Sequence, residues 1–248
     1  MEPREYAERV ERSPALPRGD EERFSGYGVM GMPFASGHVL GLRRFTASSI
    51  GPAYTSLWHR NPAGQWTFYA NVPPLESCGR FFGSDVERSV ECPIEISWPG
   101  PRHLSVRIPD AAFAWDAWLS STPATRAMNV MSRLMPEAMW RNTAVLSMMA
   151  AMAGPLLRAG RLGMHGRAPN RQRFIANPMV IWTIDRSEAR IGDESFGVPR
   201  RLAQQTRLGD FWIPQRGIFV VGRAFFDVFD SAVHRAVASR SGALGAGS

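Results

Sequence analysis

The sequence contains no lysine, so all 29 of its basic side chains are arginines. A lysine Schiff base, and with it covalently held pyridoxal phosphate, is therefore excluded, as is the lysine of a phosphate-binding P-loop. Arginine keeps its proton, so no side-chain amine can serve as a base. A GC-rich genome accounts for the use of arginine in place of lysine without any functional reason.

Cysteine is also scarce, with only Cys78 and Cys92 in 248 residues. Two cysteines do not make a disulfide framework, and no histidine stands near either at a metal-binding spacing. The five histidines form no H-x-x-x-H or H-x-H pattern, so we expect no metal site. The N-terminal segment is charged and lacks the apolar core of a signal peptide, which makes a reduced, cytoplasmic setting the expectation.

Cofactor motifs and long apolar runs are missing too. There is no G-x-G-x-x-G for a dinucleotide and no G-x-S-x-G nucleophile elbow, and no apolar stretch is long and uninterrupted enough to span a bilayer. We therefore expect no cofactor. The sequence contains no motif that is diagnostic of a particular reaction.

The net charge of +7 comes from one segment of the chain. Residues 123–173 contain eight arginines and one acid, Glu137, whereas the remainder has 21 arginines and 21 acids. A local basic surface attracts an anionic membrane, an acidic partner protein or an anionic substrate, although a solvated face with internal arginine pairs would look the same. Nucleic-acid binding is not expected, because methionine and alanine, and not exposed aromatics, accompany these arginines. The oligomeric state is left open.

Strand patterns dominate the chain on both sides of one helical segment. The segments 53–60 and 65–72 flank the turn Asn61–Gly64, and 93–98 and 103–108 flank residues 99–102, so both pairs are predicted hairpins. Further predicted strands are 37–45, 112–120, 161–166, 173–185, 188–192 and 211–228, with a tight hairpin at Arg186-Ser187. Met-rich helices are predicted within 123–159, and a C-terminal helix within 228–238.

These elements predict a mainly β protein with a single domain over residues 24–238. Residues 1–23 read as a charged N-terminal arm and residues 239–248 as a flexible tail. Eight to ten strands joined by short turns favour an antiparallel β-barrel with an inserted helical pair, because closure removes exposed edges. A sheet sandwich is the main alternative. A doubly wound parallel sheet is not expected, since no crossover helices separate the strands.

The aromatic hairpin AYTSLWHRNPAGQWTFYANV, residues 53–72, resembles the lipocalin-like (calycin) barrels, in particular the carotenoid-hydratase type. This resemblance implies a barrel that encloses an apolar small molecule, since some members act on isoprenoid or polyketide chains. Two features depart from it. The only G-x-W string, Gly64-Gln65-Trp66, begins the second arm of a hairpin and not the first strand, and a long helical segment interrupts the strands.

Two residues are candidates for acid–base chemistry. Asp116 lies between Trp115 and Trp118 on a predicted strand, and burial there would raise its pKa and suit it to proton transfer. His59, at the end of the strand before the Asn61 turn, would line the barrel and titrate near neutral pH. A hydrogen-bonded structural aspartate and a strand-end histidine are the respective alternatives.

Aromatic side chains are expected to form the wall of the ligand site, with Arg171 gripping an anionic group unless it belongs to a surface loop. The predicted wall residues are Tyr54, Trp58, Trp66, Tyr69, Trp115, Trp118 and Trp182.

The sequence therefore predicts a barrel that holds an apolar or amphiphilic molecule beneath a Met-rich helical lid. Any catalysis would be cofactor-free isomerisation, hydration or cyclisation by Asp116 and His59. The alternative is a non-enzymatic carrier of lipids that docks on an anionic membrane or an acidic partner through the basic helical segment. A purely structural or oligomerising role for residues 123–159 is a third interpretation.

Overall fold

The computed structural model describes residues 2–235 and gives a mainly β fold, as predicted. The helices are α1 (Pro3–Arg12), α2 (Gly79–Phe82), α3 (Pro123–Leu134) and α4 (Thr143–Leu156). The strands are β1 (Glu22–Pro33), β2 (Val39–Ser48), β3 (Tyr54–Arg60), β4 (Trp66–Ala70), β5 (Arg88–Glu91), β6 (Glu95–Gly100), β7 (His103–Ile108), β8 (Phe113–Ser120), β9 (His165–Arg167), β10 (Arg173–Ile191), β11 (Glu194–Ser195), β12 (Arg207–Leu208), β13 (Phe211–Trp212) and β14 (Ile218–Phe226). No helix within residues 2–235 has the length and apolar character needed to cross a bilayer.

Twelve strands form one curled sheet, in which the order is β5-β4-β3-β2-β1-β14-β10-β8-β7-β6, with β9 and β11 added along β10. The pairings are antiparallel except that of β4 with β5. Among residues 2–235 no backbone pairing joins the edge strands β5 and β6, so hydrogen bonding leaves the predicted barrel open as a half-barrel. Side chains of both edges, including Val90 and Ile96, belong to the same core.

The inner face of the curl is filled by side chains. Tyr69 on β4 and Phe113 on β8 lie 6.3 Å apart between ring centroids, although their strands belong to opposite halves of the sheet. Trp115, Trp182 and Phe219 belong to the same continuous core. The interior is therefore a packed core and not the hollow that the sequence predicts, because the large aromatic side chains that were expected to wall a cavity fill it.

The outer face carries two further apolar clusters. One lies beneath α2 and centres on Phe81, which stacks on Phe226 at 3.7 Å between ring centroids. The other lies beneath α4, where Leu146 and Ala153 pack against Val220. The helical segment thus covers the outside of the half-barrel and does not plug its mouth.

Strand β10 corrects the predicted hairpin at Arg186-Ser187. The segments 173–185 and 188–192 are one strand of 19 residues. Its first half pairs with β14 and its second with β8, and the β8 register shifts between Ile184 and Arg186. The bulge lies at Asp185, just before the polar pair, and it bends the strand without reversing it.

Other boundaries also differ from the sequence prediction. The sequence pattern does not predict β1, and in place of the predicted strand 161–166 the structure has the three-residue strand His165–Arg167. The predicted strand 211–228 is divided into β13 and β14, because the intervening segment contains Pro214, which cannot donate to a ladder.

The described part of the predicted C-terminal helix, residues 228–235, forms a turn. Asp230 supplies the reason, since its carboxylate accepts from the Ala232 N–H and its own N–H donates to His234 Nδ1. Such local side-chain bonds compete with helical ones. Residues 236–238 and the predicted tail, 239–248, lie outside the described residues.

Candidate functional site

A cavity of about 490 Å³ lies between the outer face of the sheet and the helical segment. Strands β1, β2, β3, β10 and β14 form its floor, and α3, α4 and the chain between them form its roof and mouth. Its lining is almost wholly apolar. Seven of the lining side chains are methionines of the roof and mouth, namely Met128, Met131, Met135, Met139, Met148, Met149 and Met152, and Met30 of β1 and Met164 line it as well.

Paired glycines shape the floor. Gly26 of β1 faces Gly222 of β14 across the ladder, and both line the cavity. A Cβ at Gly26 would lie 2.0 Å from the carbonyl oxygen of Arg44, and one at Gly222 would lie 2.2 Å from that of Asn177. These close strand approaches require glycine, and the floor is correspondingly free of side chains at its centre.

Side-chain caps fix the two roof helices. Thr122 accepts from the Thr125 N–H and Thr125 bonds back to the Thr122 N–H, a capping box that starts α3 ahead of Pro123. Asn142 accepts from the Ala144 N–H at 2.9 Å and also caps α4. Each helix therefore begins at a defined point above the sheet, with its methionines over the floor.

Arg43 introduces charge into this apolar space. Its side chain is buried on the floor, where its guanidinium carbon lies 4.5 Å from the Trp58 ring centroid and 5.3 Å from that of Phe211. Within residues 2–235 no carboxylate lies within 4.0 Å of it. Burial lowers the pKa of Arg43 to about 10, so the group remains cationic at neutral pH.

Tyr54 and Cys78 lie at the same end of the cavity as Arg43. The Tyr54 hydroxyl is 3.5 Å from the Cys78 sulfur. Burial raises the pKa of both groups, and the nearby charge of Arg43 only partly opposes this. Both are therefore neutral at pH 7. Nearby, Trp58 Nε1 is buried and has no hydrogen-bond partner among the described residues.

The buried members of the predicted wall set are divided among three places. Tyr54 and Trp58 line the cavity, as expected. Trp66 packs in the outer core beside Phe68 without reaching the lining. The remaining buried members of the set lie in the inner core, on the other side of the sheet, and these are Tyr69, Trp115 and Trp182.

Trp118 and Arg171 lie away from the cavity. Trp118 stacks on His103 at 4.4 Å between ring centroids, beneath the Arg186 guanidinium. Arg171 is exposed at a turn, where its φ is 75°. The surface-loop alternative for Arg171 therefore describes its position, and two other arginines, Arg43 and Arg223, line the cavity.

Asp116 is held in a polar cluster on the solvent side of β8. His103 Nε2 lies 2.8 Å from one of its carboxylate oxygens, and Arg107 Nη2 donates to the other at 2.6 Å. Partial burial raises the pKa of Asp116, but the hydrogen bonds from His103 and Arg107 outweigh it and the net pKa lies below the ordinary value. The sequence predicts that burial between tryptophans raises the pKa of Asp116. The pKa is not raised, because His103 and Arg107 donate hydrogen bonds to the carboxylate.

His59 lies in the inner core and not in the cavity. Its Nε2 is 2.7 Å from His38 Nδ1, and the Phe196 ring stacks on both imidazoles. Burial and the neighbouring His38 lower the pKa of His59 to about 4. Neither Asp116 nor His59 meets the cavity, so their predicted catalytic roles stay predictions without a shared site.

Sequence reasoning missed Arg43 and Cys78 as cavity residues. A signal for Arg43 was present, because adjacent Arg43 and Arg44 in an apolar strand must face opposite sides of the sheet. Arg44 forms two hydrogen bonds with Glu11, which leaves Arg43 facing the other way. Cys78 lies just before α2, a short element with no periodic signature.

No protein-family model matches the chain, and no curated protein matches it significantly. Among solved structures, its fold is similar to that of acetoacetate decarboxylase from Legionella pneumophila subsp. pneumophila str. Philadelphia 1. The TM-score is 0.35 and the identity 8%, over 87% of this chain and 89% of that chain. A likeness this distant carries no argument about function. No family model supports the resemblance to the carotenoid-hydratase type, which stays a prediction.

Proposed function

We propose that this protein binds an elongated apolar small molecule between the outer face of its half-barrel and the Met-rich helical segment. The observation that carries the proposal is the cavity of about 490 Å³ with its apolar lining, a volume in the range of small-molecule sites. Methionine side chains are flexible and polarisable, so the roof can adapt to the shape of its ligand.

The binding experiment uses Nile red, a neutral apolar fluorophore, and competition by dodecanol. Val220 lines the floor, so Val220→Phe fills part of the cavity and should weaken Nile red binding about ten-fold or more. Val198→Phe is the matched control, because Val198 is exposed and lies outside the cavity. Absence of saturable Nile red binding to the wild type, or equal affinities of the two variants, would contradict the proposal.

Acid–base catalysis by Asp116 and His59 is not part of the proposal, because neither side chain lines the cavity. The cavity wall supplies a cation and neutral hydroxyl and thiol groups, which suit recognition of a ligand. The cytoplasmic setting expected from the cysteines also stays a prediction, to be tested by fractionation.

A second candidate function is docking of the same helical segment on an anionic membrane. Large apolar side chains on α3 and α4 are exposed, including Leu134 at 79% and Met148 at 57%. Arg126 and Arg158 are exposed on the same segment. Apolar side chains flanked by cations match the chemistry of an anionic bilayer surface, and they surround the cavity mouth, through which a lipid would enter.

Co-sedimentation with phosphatidylglycerol vesicles tests docking. We expect binding at low salt that weakens as salt rises, and its loss when Arg126, Arg133 and Arg158 are replaced by glutamine. The matched control replaces Arg186, Arg190 and Arg200, which are exposed elsewhere. Binding that is absent at every ionic strength, or equal for the two triple variants, would exclude membrane docking through this face.

A further inference from the structure

The charge on Arg43 is unusual for its surroundings. A buried cation without an anionic partner costs several kcal/mol, and an apolar side chain of similar size is commonly as stable or more stable at such a position. The other arginine that lines the cavity among the described residues, Arg223, is paired with Glu137 at 2.7 Å. Arg43 is therefore the uncompensated charge of an otherwise apolar site.

The β1–β2 ladder explains how Arg43 is held. Its register shifts between Val29 and Met32, which leaves carbonyl groups of β1 free for side-chain donors. Arg43 Nη1 donates to the carbonyl oxygen of Val29 at 2.6 Å, and Nη2 donates to that of Met30 at 3.4 Å. Nη1 also donates to Leu42 O at 2.8 Å.

These bonds orient the guanidinium and leave part of it free. A guanidinium has five N–H groups, and three hydrogen bonds to protein acceptors are made by Nη1 and Nη2. Among residues 2–235, Arg43 Nε has no acceptor. The guanidinium is thus held by its Nη groups, while Nε and one Nη2 proton keep no protein acceptor among the described residues and remain as donors for an anionic ligand.

Resting on the proposed function, we propose that Arg43 recognises the carboxylate of an elongated apolar acid, whose hydrocarbon tail lies beneath the roof methionines. One unpaired cation matches a single negative charge. A phosphate monoester carries nearly two charges and three acceptor oxygens, for which the cavity offers no second free cation among its described lining residues. The aromatic faces of Trp58 and Phe211 beside the guanidinium exclude water and strengthen the ion pair.

The experiment compares three twelve-carbon probes that share one tail: dodecanoate, dodecanol and dodecyl phosphate. Each displaces Nile red from the full chain at neutral pH. We expect dodecanoate to bind at least about ten-fold more tightly than dodecanol, and more tightly than dodecyl phosphate. Arg43→Met should abolish the preference for dodecanoate while it retains dodecanol binding, and Arg43→Lys should keep part of it.

Arg190→Met is the matched control, because Arg190 is exposed and outside the cavity, and it should keep the wild-type preference. Circular dichroism establishes that each variant is folded, and Arg43→Lys carries the test if Arg43→Met does not fold. Equal binding of dodecanoate and dodecanol would overturn the role of Arg43 and leave the proposed function standing. Tightest binding of dodecyl phosphate would overturn the carboxylate assignment, and a wild type that binds none of the probes would overturn both proposals.

Discussion

The side-chain amide of Asn129 pairs with the backbone of Ile181 as a residue on a neighbouring strand would. Its Nδ2 donates to the Ile181 carbonyl oxygen at 2.9 Å, and its Oδ1 accepts from the Ile181 N–H at 2.8 Å. Ile181 lies on the stretch of β10 between its pairings with β9 and β8, where that edge has no strand partner among the described residues. One side chain of α3 therefore satisfies the open edge and fixes the helix above the cavity.

Asn129→Ala should destabilise the protein and loosen the roof. The substitution removes two hydrogen bonds and leaves a buried N–H and C=O unsatisfied, so we expect a loss of about 2 kcal/mol in the free energy of unfolding by urea. Nile red should also dissociate faster, because α3 is less restrained. Asn129→Asp should not rescue this loss, because a carboxylate oxygen would replace the Nδ2 donor and face the Ile181 carbonyl oxygen. An unfolding free energy of Asn129→Ala within about 0.5 kcal/mol of wild type would refute this role.

A partly buried ion pair joins the start of β1 to α2, with Glu22 buried and the Arg80 side chain 26% exposed. Glu22 accepts from Arg80 Nη2 at 2.6 Å and from Gln172 Nε2 at 3.0 Å. Glu22→Gln removes the anion and leaves the charge of Arg80 uncompensated, which should cost about 2 kcal/mol in the free energy of unfolding. Glu188→Gln is the control, since its pair with Arg186 is exposed and should contribute less than about 1 kcal/mol. Equal effects of the two substitutions on chemical denaturation would contradict this ranking.

Local patterns predicted most strands and the helical segment well, because the period of two residues in a strand and the period of about 3.6 residues in a helix are visible within a short stretch of sequence. The second predicted hairpin lies at β6 and β7, and α3 begins at Pro123 behind its Thr122 cap, as the sequence indicates. The hairpin at Arg186-Ser187 was wrong because a bulge and a turn both place polar residues in a strand. Only the pairing partners of β10 distinguish them.

The position of the cavity could not be read from the sequence. Alternation shows that Trp58 and Trp115 are buried, but not whether a buried face lies inside the curl or beneath the helices. That choice depends on how the sheet curls, which is a long-range property. For the same reason the sequence pattern favours Asp116 and His59, whose side chains can transfer protons, over Arg43, which stands out only because no carboxylate of residues 2–235 lies beside it.

The buried imidazole pair predicts how stability depends on pH. The pKa of His59 is lowered from its ordinary 6.5 to about 4, so between these values the unfolded chain binds a proton that the folded protein does not. Stability is therefore present above pH 6.5 and lost as the pH falls towards 4, by up to about 3 kcal/mol. The groups around His59 are His38, Phe113, Phe196 and, through His38 Nε2 at 3.3 Å, Glu194.

Urea denaturation at several pH values tests this dependence. His59→Gln retains an amide facing His38 but does not titrate, so its unfolding free energy should fall less than that of wild type between pH 6.5 and 4.5. His165→Gln, on the outer face beside Ser147, is the control and should follow the wild type. Parallel pH profiles for wild type and His59→Gln would show that the buried pair does not set this dependence.

Replacement of Asp116 tests whether ligand binding depends on the residue that the sequence suggests as catalytic. The carboxylate lies outside the cavity and is held by His103 and Arg107, so Asp116→Asn should change the affinity for Nile red by less than about two-fold. It should cost about 1 kcal/mol in stability, because the cluster is partly exposed and the asparagine amide keeps one acceptor. Val220→Phe provides the opposite control, with affinity lost through the cavity floor. A ten-fold loss of affinity in Asp116→Asn with an unchanged unfolding free energy would instead place the ligand near the solvent side of β8, and the outer cavity would then no longer be the site.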